Sequence, residues 1–324
     1  MRTRPAGLDE AAAAVSTGTL RWTARHAPYL DSPAARAGLP ATPRVKALLQ
    51  LALLRRVWSR LAPSDPGLQD VTATVKRAWQ RTEFAQLLAL EPHYARQFQL
   101  MYAALAPSGT VTGPHRAALD RLAADGYLTP RRKSPYLHLE TRYYADLAGL
   151  AHRLAPYEEL YANSLAARAH GLPTAGLDVC QVTHTLFYTG DFGFREPSPT
   201  GQGLERIAGT VERLTDHCVQ EELWDFAAKL ILAQHCLGLD PLRTPSGAAA
   251  VRMLARSMTA EGAIPGKSAA ERAPADAAYT TPVGFFRHAY QATLGTALAM
   301  LVVTESRKDR TERTAVAGVT RGNR

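Results

Sequence analysis

Between about residue 45 and residue 304 the chain repeats apolar residues at spacings of three and four, which places them on one face of an α-helix. "RVKALLQLALLRRVWSRLA" is the first such run and Pro63 stops it; "GLQDVTATVKRAWQRTEFAQLLAL" follows and stops at Pro92. Alternating strand patterns are scarce. From residue 114 a theme recurs: an amphipathic helix, a glycine-containing turn, then a more apolar helix. "PHRAALDRLAADGYL" precedes "YLHLETRYYADLAGLAHRL", and "PYEELYANSLAARAHGLP" precedes "GLDVCQVTHTLFYTGDFG". "GLERIAGTVERLTDHC" then precedes "EELWDFAAKLILAQHCLGLD", and "SGAAAVRMLARSMTAEGAIPG" precedes "PVGFFRHAYQATLGTALAMLVV". A unit of roughly 40–60 residues made this way predicts stacked antiparallel helical hairpins, with charge on the outer helices and little on the inner ones. The expected fold class is all-α.

The two ends break the pattern. Residues 1–44 scatter Pro and Gly with weak periodicity, and residues 305–324 are polar and charged, so the pattern predicts a flexible basic N-terminal segment, a helical domain over 45–304 and a disordered basic tail. The ends also carry most of the net charge of +9: six Arg against three acids in 1–44, and six basic residues against three acids in 305–324. The body is nearly balanced, which weakens a nucleic-acid reading of the charge. A hydrophobic content of 46% supports a sizeable core, and no uninterrupted apolar run approaches the roughly 18 residues of a membrane span. Acids directly follow the basic start, where a secretory segment would be apolar, so a cytoplasmic protein is expected. Three cysteines fit free thiols in a reducing compartment. Of 38 basic residues 32 are Arg, and with the abundant Ala and Pro this points to a GC-rich, actinobacterial type of source.

"RMLARSMTAEGAIPG" and the weaker copy "DRLAADGYLTP" resemble the outer-helix end and acidic-glycine turn of α/α toroids, the barrels of terpene cyclases, protein prenyltransferases and lanthionine cyclases. The resemblance covers about residues 45–304 and implies a ring of helices around a cavity. "THTLFYTGDFG" also resembles the signature of an actinobacterial family encoded near natural-product genes. The toroid enzymes' D-x-D-D, D-D-x-x-D and "CHG" motifs are missing here, so the resemblance carries a cavity and no chemistry.

The densest group of titratable residues lies in "DVCQVTHTLFYTGDFGF". Cys180, His184 and Tyr188 are four apart and share one helix face; Gly190 is a helix stop, and Asp191 follows it in a tight turn. On an inner helix that face meets a cavity, with His184 as acid or base, Tyr188 and Asp191 tuning it, and Cys180 as a nucleophile. On a plain core helix, His184 and Tyr188 merely bond to backbone carbonyls. If inner helices begin at one rim, Asp178, Asp225, Arg287, His288 and Tyr290 converge on a substrate-binding mouth, and His235 lies near the end of its helix, where a structural role is the default. Asp225 and Lys229, at i and i+4, read equally as an exposed pair or as a cavity pair.

Each cysteine has a histidine near it, a combination that zinc uses, yet neighbouring His217–Cys218 and His235–Cys236 diverge by about 100° on a helix. No metal set is assigned; a cofactor-independent reaction is expected, with zinc as the lesser alternative. "HRAALDRLAADGYLTPRRKS" can be read as a winged-helix fragment, but no helix before it completes the motif, so DNA binding ranks last. Walker, G-x-G-x-x-G, G-x-S-x-G and kinase motifs are missing. The resulting expectation is a natural-product tailoring enzyme of the cyclase, lyase or isomerase type, acting on a small-molecule or peptide intermediate by acid–base chemistry. A non-catalytic helical-repeat scaffold is the main alternative, and no membrane partner is expected.

Overall fold

A computed structural model describes residues 7–88, 94–110, 113–129, 133–271 and 282–321. Fifteen α-helices are labelled in chain order: α1 Leu8–His26, α2 Pro33–Gly38, α3 Ala41–Leu61, α4 Pro66–Gln80, α5 Thr82–Leu87, α6 Ala95–Ala104, α7 Gly113–Ala124, α8 Pro135–Leu147, α9 Tyr157–Ala162, α10 Leu165–Arg168, α11 Val179–Thr189, α12 Gly201–Gln220, α13 Trp224–Cys236, α14 Pro245–Ser257 and α15 Pro282–Arg321. The described residues contain no strand, and the fold is all-α.

The contacts between helices close on themselves. α8 packs on α11, α11 on α13, α13 on α15, α15 on α3, α3 on α6, and α6 on α8, which makes a toroid-like ring of six. The remaining long helices lie outside it: α1 and α14 against α15 and α13, α12 against α13, α4 against α3, and α7 against α6. Residue patterns assign these places. α13 buries residues all the way round, among them Trp224, Ala227, Ala228, Leu230, Ile231, Leu232 and Ala233, as a helix with neighbours on every side must. α12 buries one stripe, Ile207, Thr210, Val211, Leu214, Thr215 and Cys218, and leaves its other face to water. One polar tie between layers is fully satisfied: the Gln234 amide donates to Thr215 and Ser246 at 3.1 Å each, and accepts from Thr244 at 2.7 Å.

Within the N-terminal segment 1–44, the described residues form α1, α2 and the start of α3. α1 is an outer helix packed on α14, α15 and α4, with Ala12, Val15 and Thr19 essentially inaccessible. Its packed face mixes the small residues Ala12, Ser16, Gly18 and Thr19 with Val15, Leu20 and Trp22. The basic tail is likewise helical as far as Arg321, and Arg307 ties it back to Asp9 of α1 and Asp240. The turn after α14, "TAEGAIPG", docks on α1. Gly262 has φ +97°, and a Cβ there would stand 2.1 Å from the Gly18 carbonyl oxygen.

"GYLTPRRKS" does not present its lysine as a wing residue. Lys133 folds back to donate to the Tyr127 carbonyl and, at 3.3 Å, to Thr141 Oγ1, and burial lowers its pKa to about 8. Residues 130–132 lie outside the described ones.

Both the left-handed backbone and the clash with α1 oppose a side chain at 262. Gly262→Ala should therefore cost about 3 kcal/mol or more, measured by urea unfolding, whereas Gly149→Ala, where a Cβ meets nothing within 4 Å and only φ opposes it, should cost about 1 kcal/mol.

Candidate functional site

All six ring helices contribute to one cavity of about 170 Å³ at their common centre. Gln50 and Leu54 come from α3, Met101 from α6, Glu140 and Tyr144 from α8, His184, Phe187 and Tyr188 from α11, Lys229 and Leu232 from α13, and Leu294, Gly295 and Leu298 from α15. Phe192, in the turn after α11, completes the wall.

Tyr188 donates to Glu140 Oε1 at 2.7 Å. Burial raises the Glu140 carboxyl to about 7, and the Tyr188 hydrogen bond opposes that rise only in part. Tyr188 and Tyr144 are pushed well above the ordinary phenol value by burial and then by Glu140. His184 Nδ1 lies 3.2 Å from the Tyr136 hydroxyl, and the rings stack with centroids 5.9 Å apart. Burial first, then the charge of Lys229, lowers His184 to about 3, so the imidazole is neutral at physiological pH. One side of it faces the cavity.

Lys229 Nζ stands 2.6 Å from Asp225 Oδ2 and 3.8 Å from Cys180 Sγ. Burial, the largest single influence, disfavours its charge, but Asp225 and Cys180 together outweigh it and raise its pKa. The Cys180 thiol is raised by burial, with Lys229 opposing. Asp225 is only 4% exposed, and its Oδ1 accepts no hydrogen bond. The salt pair is thus buried, and its lysine lines the cavity.

A family model described as Domain of unknown function (DUF6895) matches residues 16–301, from the middle of α1 into α15. The chain belongs to that family. No curated protein and no solved structure matches it. The matched span of the DUF6895 domain includes every residue that lines the cavity.

Cys180, His184 and Tyr188 share one face of α11 in the DUF6895 domain, and Asp225 joins them through Lys229. Asp191 does not. The helical rise carries it about 10 Å below His184, where Oδ2 accepts from Arg60 at 2.8 Å and Oδ1 from the Tyr143 hydroxyl at 2.9 Å. Asp191 and Phe192 both have positive φ, 45° and 56°, and this turn aims Phe192 into the cavity floor. Asp191 therefore clamps the end of the ring and cannot orient His184.

The predicted mouth is also redrawn. Asp178 is exposed and caps α11, accepting from the Gln181 N–H at 3.0 Å. His235 sits at the other end of the ring against Gly193, with Nε2 3.4 Å from Ser306 Oγ, and burial lowers it to about 4. His288 is exposed, and the Arg287 side chain lies outside the described ones. α15 begins well before the rim: Gly295 is the residue level with Asp225, so position 288 is two turns beyond it. Tyr290 is half-buried near Asp225, whose charge adds to the rise that burial causes in its pKa. Among the described residues no three His, Cys, Asp or Glu side chains are grouped to hold a metal ion. No helix of the described residues is long and apolar enough to cross a membrane.

Glu140 was missed by sequence reasoning. Its signal was an acid in "YLHLETRYYADL" flanked by tyrosines at i−4, i+3 and i+4.

The folded Glu140 keeps its proton to about pH 7, whereas an unfolded Glu loses it near 4.5, so this group destabilises the fold as pH rises through that window. Glu140→Gln should gain about 2–3 kcal/mol relative to wild type between pH 5 and pH 8, read by urea unfolding at both. Removing one partner of the buried pair strands the other charge, so Lys229→Met should cost about 3–5 kcal/mol. The double variant Asp225→Asn/Lys229→Met should recover most of that loss in the same assay.

Proposed function

We propose that this DUF6895 protein is a tailoring enzyme of small-molecule, natural-product type biosynthesis that performs an acid–base step of the cyclisation, elimination, addition or isomerisation class. The observation that carries the reading is the Glu140–Tyr188 pair beside His184 on the wall of a cavity lined by six helices. A carboxyl raised to about 7 exchanges protons near neutrality, which suits a general acid or base. His184, too weak a base at about 3, serves as a neutral hydrogen-bond partner that polarises the substrate, held by Tyr136. Glu140 thereby takes the proton-transfer role that the sequence pattern offered to His184. Cys180 lies beside Lys229, yet burial raises its pKa, which argues against a thiolate nucleophile.

The cavity size supports a small molecule over a peptide. At about 170 Å³ it is near the ~150 Å³ of an apolar cavity that takes up benzene. Because His184 and Tyr188 face this chamber and not the outer surface, the scaffold reading has no exposed face built from them.

Replacing Glu140 tests the assignment. In the producing host, Glu140→Gln should lower flux through the pathway by roughly 100-fold or more and accumulate its substrate, while His184→Ala should lower it less. Wild-type product levels from a folded Glu140→Gln protein would remove Glu140 from the chemistry.

A further inference from the structure

Two acceptors at the cavity wall stand with few protein donors. Gln50 lines it, and its Oε1 accepts no hydrogen bond. Glu140 lines it too, and accepts one side-chain hydrogen bond among the described residues, from Tyr188 at Oε1. Among the described residues that line the cavity the one lysine or arginine is Lys229, which is paired with Asp225, a residue outside the lining. Around them stand the rings of Tyr144, Phe187, Tyr188 and Phe192.

Buried acceptors without donors are costly, and aromatic faces attract positive charge. An ammonium group remedies both deficits at once. It supplies N–H donors to Gln50 Oε1 and to Glu140, and its charge is met by the Glu140 carboxylate and the ring faces. A carboxylate ligand would face Glu140 and would find Lys229 already paired with Asp225.

We propose that the cavity binds a small organic cation, a primary amine of about benzene size, with its ammonium group held by Glu140 and Gln50 and its carbon skeleton by the aromatic wall. This deepens the enzymatic reading of the same cavity, since it names the substrate class. The amine enters as the ammonium ion, and no bond is made or broken in binding.

Binding of cyclopentylamine and benzylamine, compared with cyclopentanol, benzyl alcohol and benzoate by titration calorimetry and thermal shift, tests it on the full chain. The amines should bind at least roughly tenfold more tightly than the alcohols, the margin expected for hydrogen bonds to a charged group, and benzoate more weakly still. Glu140→Gln should erase most of that margin. Gln50→Leu, which removes no charge and leaves Tyr188 paired, should reduce amine affinity several-fold and serves if Glu140→Gln fails to fold. Alcohols binding as tightly as amines, benzoate binding best, or amine affinity unchanged in both variants would overturn the proposal. Failure of the amine preference together with lost flux in Glu140→Gln would sink the substrate class and keep the acid–base reading. An amine preference with undiminished flux would do the reverse.

Discussion

Six helices pack their apolar faces around a small group of polar side chains, and the loss of water around those side chains governs how the rest of this protein behaves. Desolvation alone is the leading cause of every large pKa displacement at the centre: Glu140 upward, His184 downward, and Tyr144 and Tyr188 upward. Each displacement moves the group toward its neutral form. Lys229 is the exception that follows the same rule, because Asp225 at 2.6 Å supplies the opposite charge that water no longer can. A chamber that neutralises its own walls leaves a carboxyl able to gain or lose a proton near neutrality.

The two ends of the ring do different work. Toward the starts of α11 and α13, Cys180, Lys229 and Asp225 lie against one another, and the cavity wall is polar. Toward their ends, Asp191 ties Arg60 of α3 to Tyr143 of α8, while the guanidinium of Arg60 lies 3.5 Å over the Phe194 ring. That clamp holds two successive residues in left-handed conformations, which non-glycine residues adopt at a cost of about 1–2 kcal/mol each. The strain is maintained by the Asp191 hydrogen bonds and by burial of Phe192, and its product is the aromatic floor of the cavity.

Local pattern foretold most of the helices between residues 45 and 304 and the pairing of α12 with α13, but α7 packs chiefly on α6 instead of α8, and α14 on α13 instead of α15. The apolar period of α13 and the single buried stripe of α12 are written at spacings of three and four, so inner and outer places were legible. The shared face of Cys180, His184 and Tyr188 follows from the same geometry. What misled was composition read as order. α1 packs through small residues beside Val15, Leu20 and Trp22, and a contact that places it, Gly18 against Gly262, joins residues 244 positions apart.

By itself, then, the sequence determined that the chain is all-α, which helices are buried on all sides, and which side chains of α11 point the same way. Only the tertiary structure decided which polar groups meet. Asp191 and Asp178 are seven and six residues from His184, and neither serves it, one being drawn to Arg60 and the other spent on a helix cap. Glu140 is 48 residues from Tyr188 and bonds to it. Helical periodicity fixes directions within one element to a few ångströms, but the register between elements is set by how six apolar surfaces pack, and that sum over the whole ring cannot be read from any one segment.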